Sequence, residues 1–127
     1  MRSRLVISLA LLAVVIAGGL LNACLTRHIS DRYVSAAEEL LALTESGQWQ
    51  RAADTAGAYH ETWDETLSWL QMLINHEDGD SLSRALLTVE AGIRTRDVSL
   101  CVQGCNEMKE AAQHLYHRDA FTLGNVL

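Results

Sequence analysis

The stretch "LVISLALLAVVIAGGLL", residues 5–21, decides the architecture of this chain, because no charged side chain interrupts it. The apolar character continues to Leu25, and about twenty such residues in a helix can cross a hydrocarbon layer roughly 30 Å thick. Eleven of the side chains between Leu5 and Leu21 are Leu, Ile or Val. At about −0.3 to −0.6 kcal/mol each, they favour membrane insertion by about 3 to 7 kcal/mol. The sequence therefore predicts a transmembrane anchor over residues 5–25, preceded by a short tail, residues 1–4.

The charges that flank this segment give a weak preference for one orientation. Arg2 and Arg4 precede it, while Arg27 and Arg32 follow it together with Asp31. Cytoplasmic flanks carry the excess of basic residues, and the short tail adds the α-amino charge. We therefore expect a single-pass protein of the cell membrane with a cytoplasmic N-terminus and its remaining residues outside the cytoplasm.

A second interpretation of the same region is a lipoprotein signal. Leu21-Asn22-Ala23-Cys24 resembles a bacterial lipobox, in which cleavage before the cysteine exposes it for lipidation. Asn22 departs from the small or apolar residue usual at that place, and the apolar run exceeds the 7 to 15 residues typical of a signal peptide. Lipidation at Cys24 remains an alternative, and both interpretations tether the chain to a membrane.

Residues 26–127 have the composition of one small, acidic, all-α domain. The whole chain contains no proline and few aromatic residues, which favours uninterrupted helices over strands. Residues 28–127 hold seven basic and sixteen acidic residues, a net charge of −9. Such a surface repels phosphate backbones. We therefore expect no nucleic-acid binding.

Four apolar stripes at helical spacing divide this domain. The stripes predict helices over residues 29–46, 48–75, 79–95 and 97–117, the first continuing directly from the anchor, and a C-terminal tail 118–127 that folds back as an apolar strap. Short connections predict antiparallel neighbours in an up-and-down bundle. Ser46-Gly47 is the expected stop of the first helix, and Asp97 the expected N-cap of the last. The stripe residues are Ile29, Tyr33, Ala36, Leu40 and Leu43; Trp49, Ala52, Ala56, Tyr59, Trp63, Leu67, Leu70 and Ile74; Leu82, Leu86, Val89 and Ile93; and Val98, Cys101, Cys105, Met108, Ala112 and Leu115.

The stretch "LINHEDGDSL", residues 73–82, holds most of the candidate chemistry. A helix-to-helix corner explains it: Asn75 takes a left-handed conformation, His76 lies against the carbonyl end of helix two, Asp78 or Asp80 caps helix three, and Glu77 favours its positive end. The alternative is a divalent-cation site formed by these same four side chains, His76, Glu77, Asp78 and Asp80. A calcium loop that starts at Asp78 lacks the required glycine, because its sixth position is Ser83.

The remaining reactive residues favour structural roles. Cys101 and Cys105 lie on an apolar stripe, which is typical of core thiols. His114 and His117 are expected to be solvated, although they could share a metal with His60. No catalytic triad, phosphate loop or dinucleotide motif is present in the sequence, so we expect neither an enzyme nor a cofactor.

The tryptophans of helix two leave a further question open. Trp63 belongs to the apolar stripe, and Trp69 lies six residues later, on a different side of the helix. Either Trp69 broadens the core, or together with Met72 it forms an exposed apolar patch of the kind that binds partners.

Three motifs taken together resemble a known family of small bacterial membrane-anchored proteins, the domain of unknown function 4363. They are the "SGQW" opening of helix two, the "INHED" corner and the "TLGNVL" ending. The resemblance implies an N-terminal transmembrane helix, a helical domain and a membrane partner, with no catalytic residue to transfer. The positions that match the family pattern are Trp49, Trp63, Asn75, His76, Glu77, Asp80 and Asn125.

These observations predict an interaction or accessory module for a membrane protein, or for a second copy of the chain. The alternative function is a small-ligand or cation sensor that uses the corner between Asn75 and Asp80.

Overall fold

The computed structural model describes the backbone of residues 1–126 and the side chains of residues 1–116. Its four helices are α1 (Arg2–Glu45), α2 (Trp49–Leu70), α3 (His76–Thr95) and α4 (Val98–Val126). The all-α prediction is confirmed, as is the direct continuation of the apolar segment into the first helix of the bundle.

The two halves of α1 have different surroundings. Residues 2–25, here called the free half, contain no buried residue. Residues 26–45, the packed half, contribute one face to the core. The helix ends where the sequence predicts, because Gly47 adopts the left-handed conformation with φ +73° that stops a helix.

The helices pack as a closed ring in the order α1, α2, α3, α4, with α4 returning against the packed half of α1. Connections of three, five and two residues separate them, and such short connections make successive helices antiparallel. The predicted up-and-down bundle is therefore confirmed.

Three helix boundaries differ from the sequence prediction by three residues or more. α2 ends at Leu70 instead of residue 75, and α3 begins at His76 instead of residue 79. α4 continues as helix through Val126, so the backbone does not fold back after residue 117 as the predicted strap requires. The apolar side chains assigned to that strap, Phe121, Leu123, Val126 and Leu127, lie outside the described side chains.

The core is formed by the predicted stripes. Each stripe residue is buried or packs against the buried cluster, with one exception. Val98, the first residue of α4, keeps 41% of its surface exposed, because it lies on the first turn of the helix, beside the two-residue connection.

Two glycines allow α3 and α4 to approach closely. A Cβ on Gly92 would lie 2.8 Å from the backbone nitrogen of Cys101, and a Cβ on Gly104 would lie 2.8 Å from that of Val89. Both distances are below ordinary van der Waals contact. The tight contact between α3 and α4 therefore depends on having no side chain at these two positions.

Candidate functional site

The corner, residues 71–75, joins α2 to α3 and is a capped turn. Leu73 and Ile74 donate backbone hydrogen bonds to the carbonyl of Leu70, at 2.8 and 3.1 Å. Asn75 has φ −69° and ψ 136°, and its side-chain oxygen accepts a hydrogen bond of 3.2 Å from the backbone nitrogen of Glu77. Asn75 is therefore the N-cap of α3. The predicted left-handed conformation at the end of α2 is wrong.

The other polar residues of the stretch 73–82 follow the corner and occupy the first turns of α3. His76 is the first residue of α3 and is exposed. Glu77 and Asp78 lie in the first turn, where carboxylates interact favourably with the positive end of the helix. Asp80 is exposed in the second turn and does not cap the helix.

The described residues contain no group of three or more His, Cys, Asp or Glu side chains arranged to hold a metal ion. Of the four predicted cation ligands, His76, Glu77 and Asp80 are exposed, and Asp78 is half-buried. The geometry of the corner therefore supports its capping role.

A polar contact that the sequence did not predict lies between α2 and α3, where His60 meets two carboxylates. His60 Nδ1 lies 2.5 Å from a carboxylate oxygen of Glu90, and its Nε2 lies 3.7 Å from a carboxylate oxygen of Asp64. Both ring nitrogens thus face acidic side chains, one on the same helix and one on α3. Asp64 is four residues from His60, a spacing visible in the sequence, whereas Glu90 is thirty residues away and gives no local signal.

Three aromatic rings join α1 to α2 at the middle of the bundle. The Tyr33 ring packs edge-to-face against Trp63, with centroids 5.2 Å apart, and against Tyr59 at 6.3 Å. The indole nitrogen of Trp63 donates a hydrogen bond of 2.8 Å to the Ser83 hydroxyl on α3. Trp63, a position of the family pattern, is fully buried. It therefore serves the packing of three helices.

The two tyrosines of this group ionise less readily than exposed ones. The pKa of Tyr33 is raised mainly because its ring is buried. The pKa of Tyr59 is raised mainly because its hydroxyl donates a hydrogen bond of 2.7 Å to Glu39, so that loss of the proton would leave two negative charges in contact.

An open groove with a volume of about 380 Å³ runs between α1 and α2. Its lining combines opposite charges with two hydroxyl-bearing threonines, so it has no single charge preference. The residues that line it are Arg32, Asp54, Thr55, Ala58, Tyr59 and Thr62.

The three cysteines are free thiols in different surroundings. Cys101 and Cys105 are fully buried, as predicted for core thiols. Burial raises the pKa of Cys101, and burial raises that of Cys105 to about 11, so both remain neutral and unreactive near neutral pH. Cys24, the predicted lipidation position, is exposed near the end of the free half of α1.

The predicted histidine and tryptophan alternatives have separate outcomes. His114 is exposed, as expected, while the side chain of His117 lies outside the described residues. Trp69 is 40% exposed, so it does not broaden the core. Trp49 is half-buried against the core at the start of α2. Asn125, the last position of the family pattern, lies on the helical backbone of α4, and its side chain is not described.

The free half of α1 meets the length and composition of a membrane span. Its most apolar window has a mean hydropathy of 2.5, and none of that window is buried against the bundle. A signal sequence meets the same two criteria, so the length and composition of the helix do not distinguish a membrane span from a signal sequence.

Comparison with known proteins identifies the chain at the level of its family. Neither curated proteins nor solved structures gave a match. The family described as "Domain of unknown function (DUF4363)" matches residues 22–126, which include the packed half of α1, the corner and all of α4. Because this match covers most of the chain, the protein belongs to the DUF4363 family.

Proposed function

We propose that this protein is a single-span membrane protein whose bundle is an accessory or interaction module for a partner in the same membrane. The observation that carries the proposal is the free half of α1. None of its most apolar stretch is buried against the bundle, and in water this surface would be exposed at a cost of roughly 25 cal/mol for each Å². A bilayer removes that cost.

The bundle itself supports an interaction role. Its apolar stripes pack into one buried cluster to which all four helices contribute. Its acidic surface, with a net charge of −9 over residues 28–127, suits a partner that carries basic residues beside the membrane. The flanking charges support a cytoplasmic N-terminus with the bundle on the other side.

Membrane attachment is tested by flotation of the full-length chain on a density gradient after alkaline washing of membranes. We expect the chain to float with the lipid, and its intact mass should show an uncleaved N-terminus without lipid on Cys24. Recovery in the soluble fraction with the N-terminus intact would overturn the proposal. Cleavage before Cys24 with an added lipid would replace the span by a lipid anchor.

The partner is tested by crosslinking in native membranes followed by purification in mild detergent. A matched control replaces each of residues 5–21 by leucine. This control keeps an apolar span of the same length but removes the side chains through which the natural span could contact a partner. We expect one membrane protein, or a second copy of the chain, in constant ratio to the bundle. Recovery of the chain as a monomer from repeated preparations would contradict an accessory role.

A further inference from the structure

An exposed apolar patch lies at the corner of the bundle. Trp69 is 40% exposed, Met72 83% and Leu73 50%. These three side chains, here called the corner patch, are next to one another on the last turn of α2 and the turn that follows it. Large apolar side chains exposed side by side mark a surface that contacts something other than water.

The position of the corner patch along α1 follows from the aromatic contacts. Tyr33 on α1 and Trp63 on α2 are side by side, with ring centroids 5.2 Å apart. The two helices are antiparallel, so seven residues onward along α2 and seven residues back along α1 cover the same distance, about 10 Å at 1.5 Å per residue. Leu70 therefore lies level with Thr26.

This level coincides with the end of the free half of α1. Trp69 therefore lies at the level of the boundary between the two halves, and the turn that holds Met72 and Leu73 lies at or beyond the level of Leu25. On the neighbouring side of the bundle, Arg27 lies over the ring of Tyr116 on α4, 5.8 Å from its centroid. Aromatic and basic side chains at the end of an apolar span are typical of the interface between lipid and water.

The opposite end of the bundle provides an internal comparison. The connections there are Ser46-Gly47-Gln48 and Arg96-Asp97, which are polar apart from the glycine. Val98, 41% exposed, is the one large exposed apolar side chain that adjoins them among the residues described. Of the five large exposed apolar side chains described in the bundle, three, Trp69, Met72 and Leu73, lie at the end where the free half of α1 leaves it, while Leu87 lies midway along α3 and Val98 at the opposite end.

We propose that the corner patch inserts into the lipid–water interface of the membrane that α1 crosses, as a second membrane contact beside the anchor. The proposal rests on the membrane span proposed above. It adds the residues that set the orientation of the bundle relative to the bilayer. One contact at the helix and another at the corner would limit tilting of the bundle. The carboxylates of Glu77 and Asp80, exposed near the patch, suit a zwitterionic lipid surface better than a strongly anionic one.

The test compares two full-length variants in phosphatidylcholine vesicles, Trp49→Phe and Trp69→Phe. Both retain the buried Trp63 and an aromatic ring at the substituted position, so the difference between them isolates the corner tryptophan from the one at the opposite end. Fluorescence is quenched either by lipids that carry a spin label near the head group or by iodide in the water.

We expect the spin-labelled lipid to quench the Trp49→Phe variant, which retains Trp69, several-fold more strongly than the Trp69→Phe variant. Iodide should show the reverse order. Equal quenching of both variants by lipid would overturn the proposal. Protection of Trp69 from lipid and iodide alike would also overturn it, because a protein would then cover the patch.

Flotation of the same vesicles separates the two proposals. Chains that float but show equal quenching leave the membrane span intact and remove the second contact. Chains that fail to float remove both. A Trp69→Ser, Met72→Ser double variant should still float, because the anchor remains, and a loss of flotation would show that the corner patch is not a secondary contact.

Discussion

The free and packed halves of α1 belong to one continuous helix, yet their apolar side chains are distributed differently around it. In the free half, apolar residues occur on every side, and none is buried by the protein. In the packed half, apolar residues form a stripe, and the face that carries this stripe is buried together with Thr26, Ser30 and Thr44. A helix that is apolar all round requires a surrounding apolar medium, whereas a striped helix requires only neighbouring helices.

The largest expected effect comes from replacing a leucine by alanine in the packed half and, for comparison, in the free half. Leu40 is fully buried, while Leu11 is 62% exposed. Leu40→Ala should lower the free energy of unfolding of the bundle by about 2 to 5 kcal/mol, because it leaves a cavity. Urea unfolding of the full-length chain in detergent micelles, followed by tryptophan fluorescence, measures the change.

Leu11→Ala is the matched control and should leave that transition unchanged. Comparable losses from both substitutions would show that the free half packs against the bundle after all, and the contrast between the halves would fail.

The next effect contrasts the core thiol at position 105 with the exposed thiol at position 24. The pKa of Cys105 is raised to about 11 from an ordinary value of 9.0. The neutral thiol is favoured in the folded state, so its contribution to stability is complete below pH 9 and is lost as the pH rises through 11. The loss should amount to about 1 to 3 kcal/mol.

Unfolding free energies measured between pH 8 and pH 11.5 test this, with Cys105→Ala and Cys24→Ala compared with the parent chain. The decline over that range should be smaller in Cys105→Ala and unchanged in Cys24→Ala. Tyr33 and Tyr59 are present in all three proteins, so their ionisation cancels. Identical declines in the three proteins would contradict the buried environment of Cys105.

A smaller effect sharpens the contrast between contacted and uncontacted helix surfaces. A Cβ on Gly92 would lie 2.8 Å from the backbone nitrogen of Cys101, whereas a Cβ on Gly57 would meet nothing within 4 Å. Gly92→Ala should destabilise the bundle by about 1 to 3 kcal/mol through overpacking. Gly57→Ala should stabilise it by up to about 1 kcal/mol through helix propensity. Thermal unfolding reports both signs, and a shared sign would contradict the close approach of α3 and α4.

The smallest effect concerns the boundary between the two halves of α1. Arg27 stacks over the Tyr116 ring, and an exposed cation–π contact contributes about 0.5 to 1 kcal/mol. Arg27→Ala should remove that amount, and Arg27→Lys should retain part of it. Equal stabilities for Arg27→Ala and the parent chain in urea would show that α4 is not held to α1 by this contact.

The sequence located the corner but misassigned its residues. An asparagine can end a helix in the left-handed conformation or begin the next one as its N-cap, and both are locally favourable. The choice depends on where α2 stops. Residues 71–74 contain no helix breaker, so propensity extends α2 to Asn75, while the structure turns the chain at Leu70 so that Ile74 packs back against the core.

Contacts between residues distant in sequence account for the other differences. His60 and Glu90 are thirty residues apart, and the hydrophobic period of each helix carries no information about which polar side chains meet across two helices. The exposure of Trp69 likewise depends on how far the neighbouring helices extend beside it.

By itself the sequence determined the all-α class, the apolar length of α1, the inward face of each helix and the cap at Asp97, whose side chain accepts a hydrogen bond of 3.2 Å from the backbone of Leu100. These features follow from the local helical repeat and from side chains that bond to their own backbone. Only the tertiary structure decided the end of α2, the role of Asn75, the pairing of His60 with Glu90 and the exposure of the corner patch. Each of these depends on the relative positions of whole helices, which are set by packing between surfaces far apart in the chain.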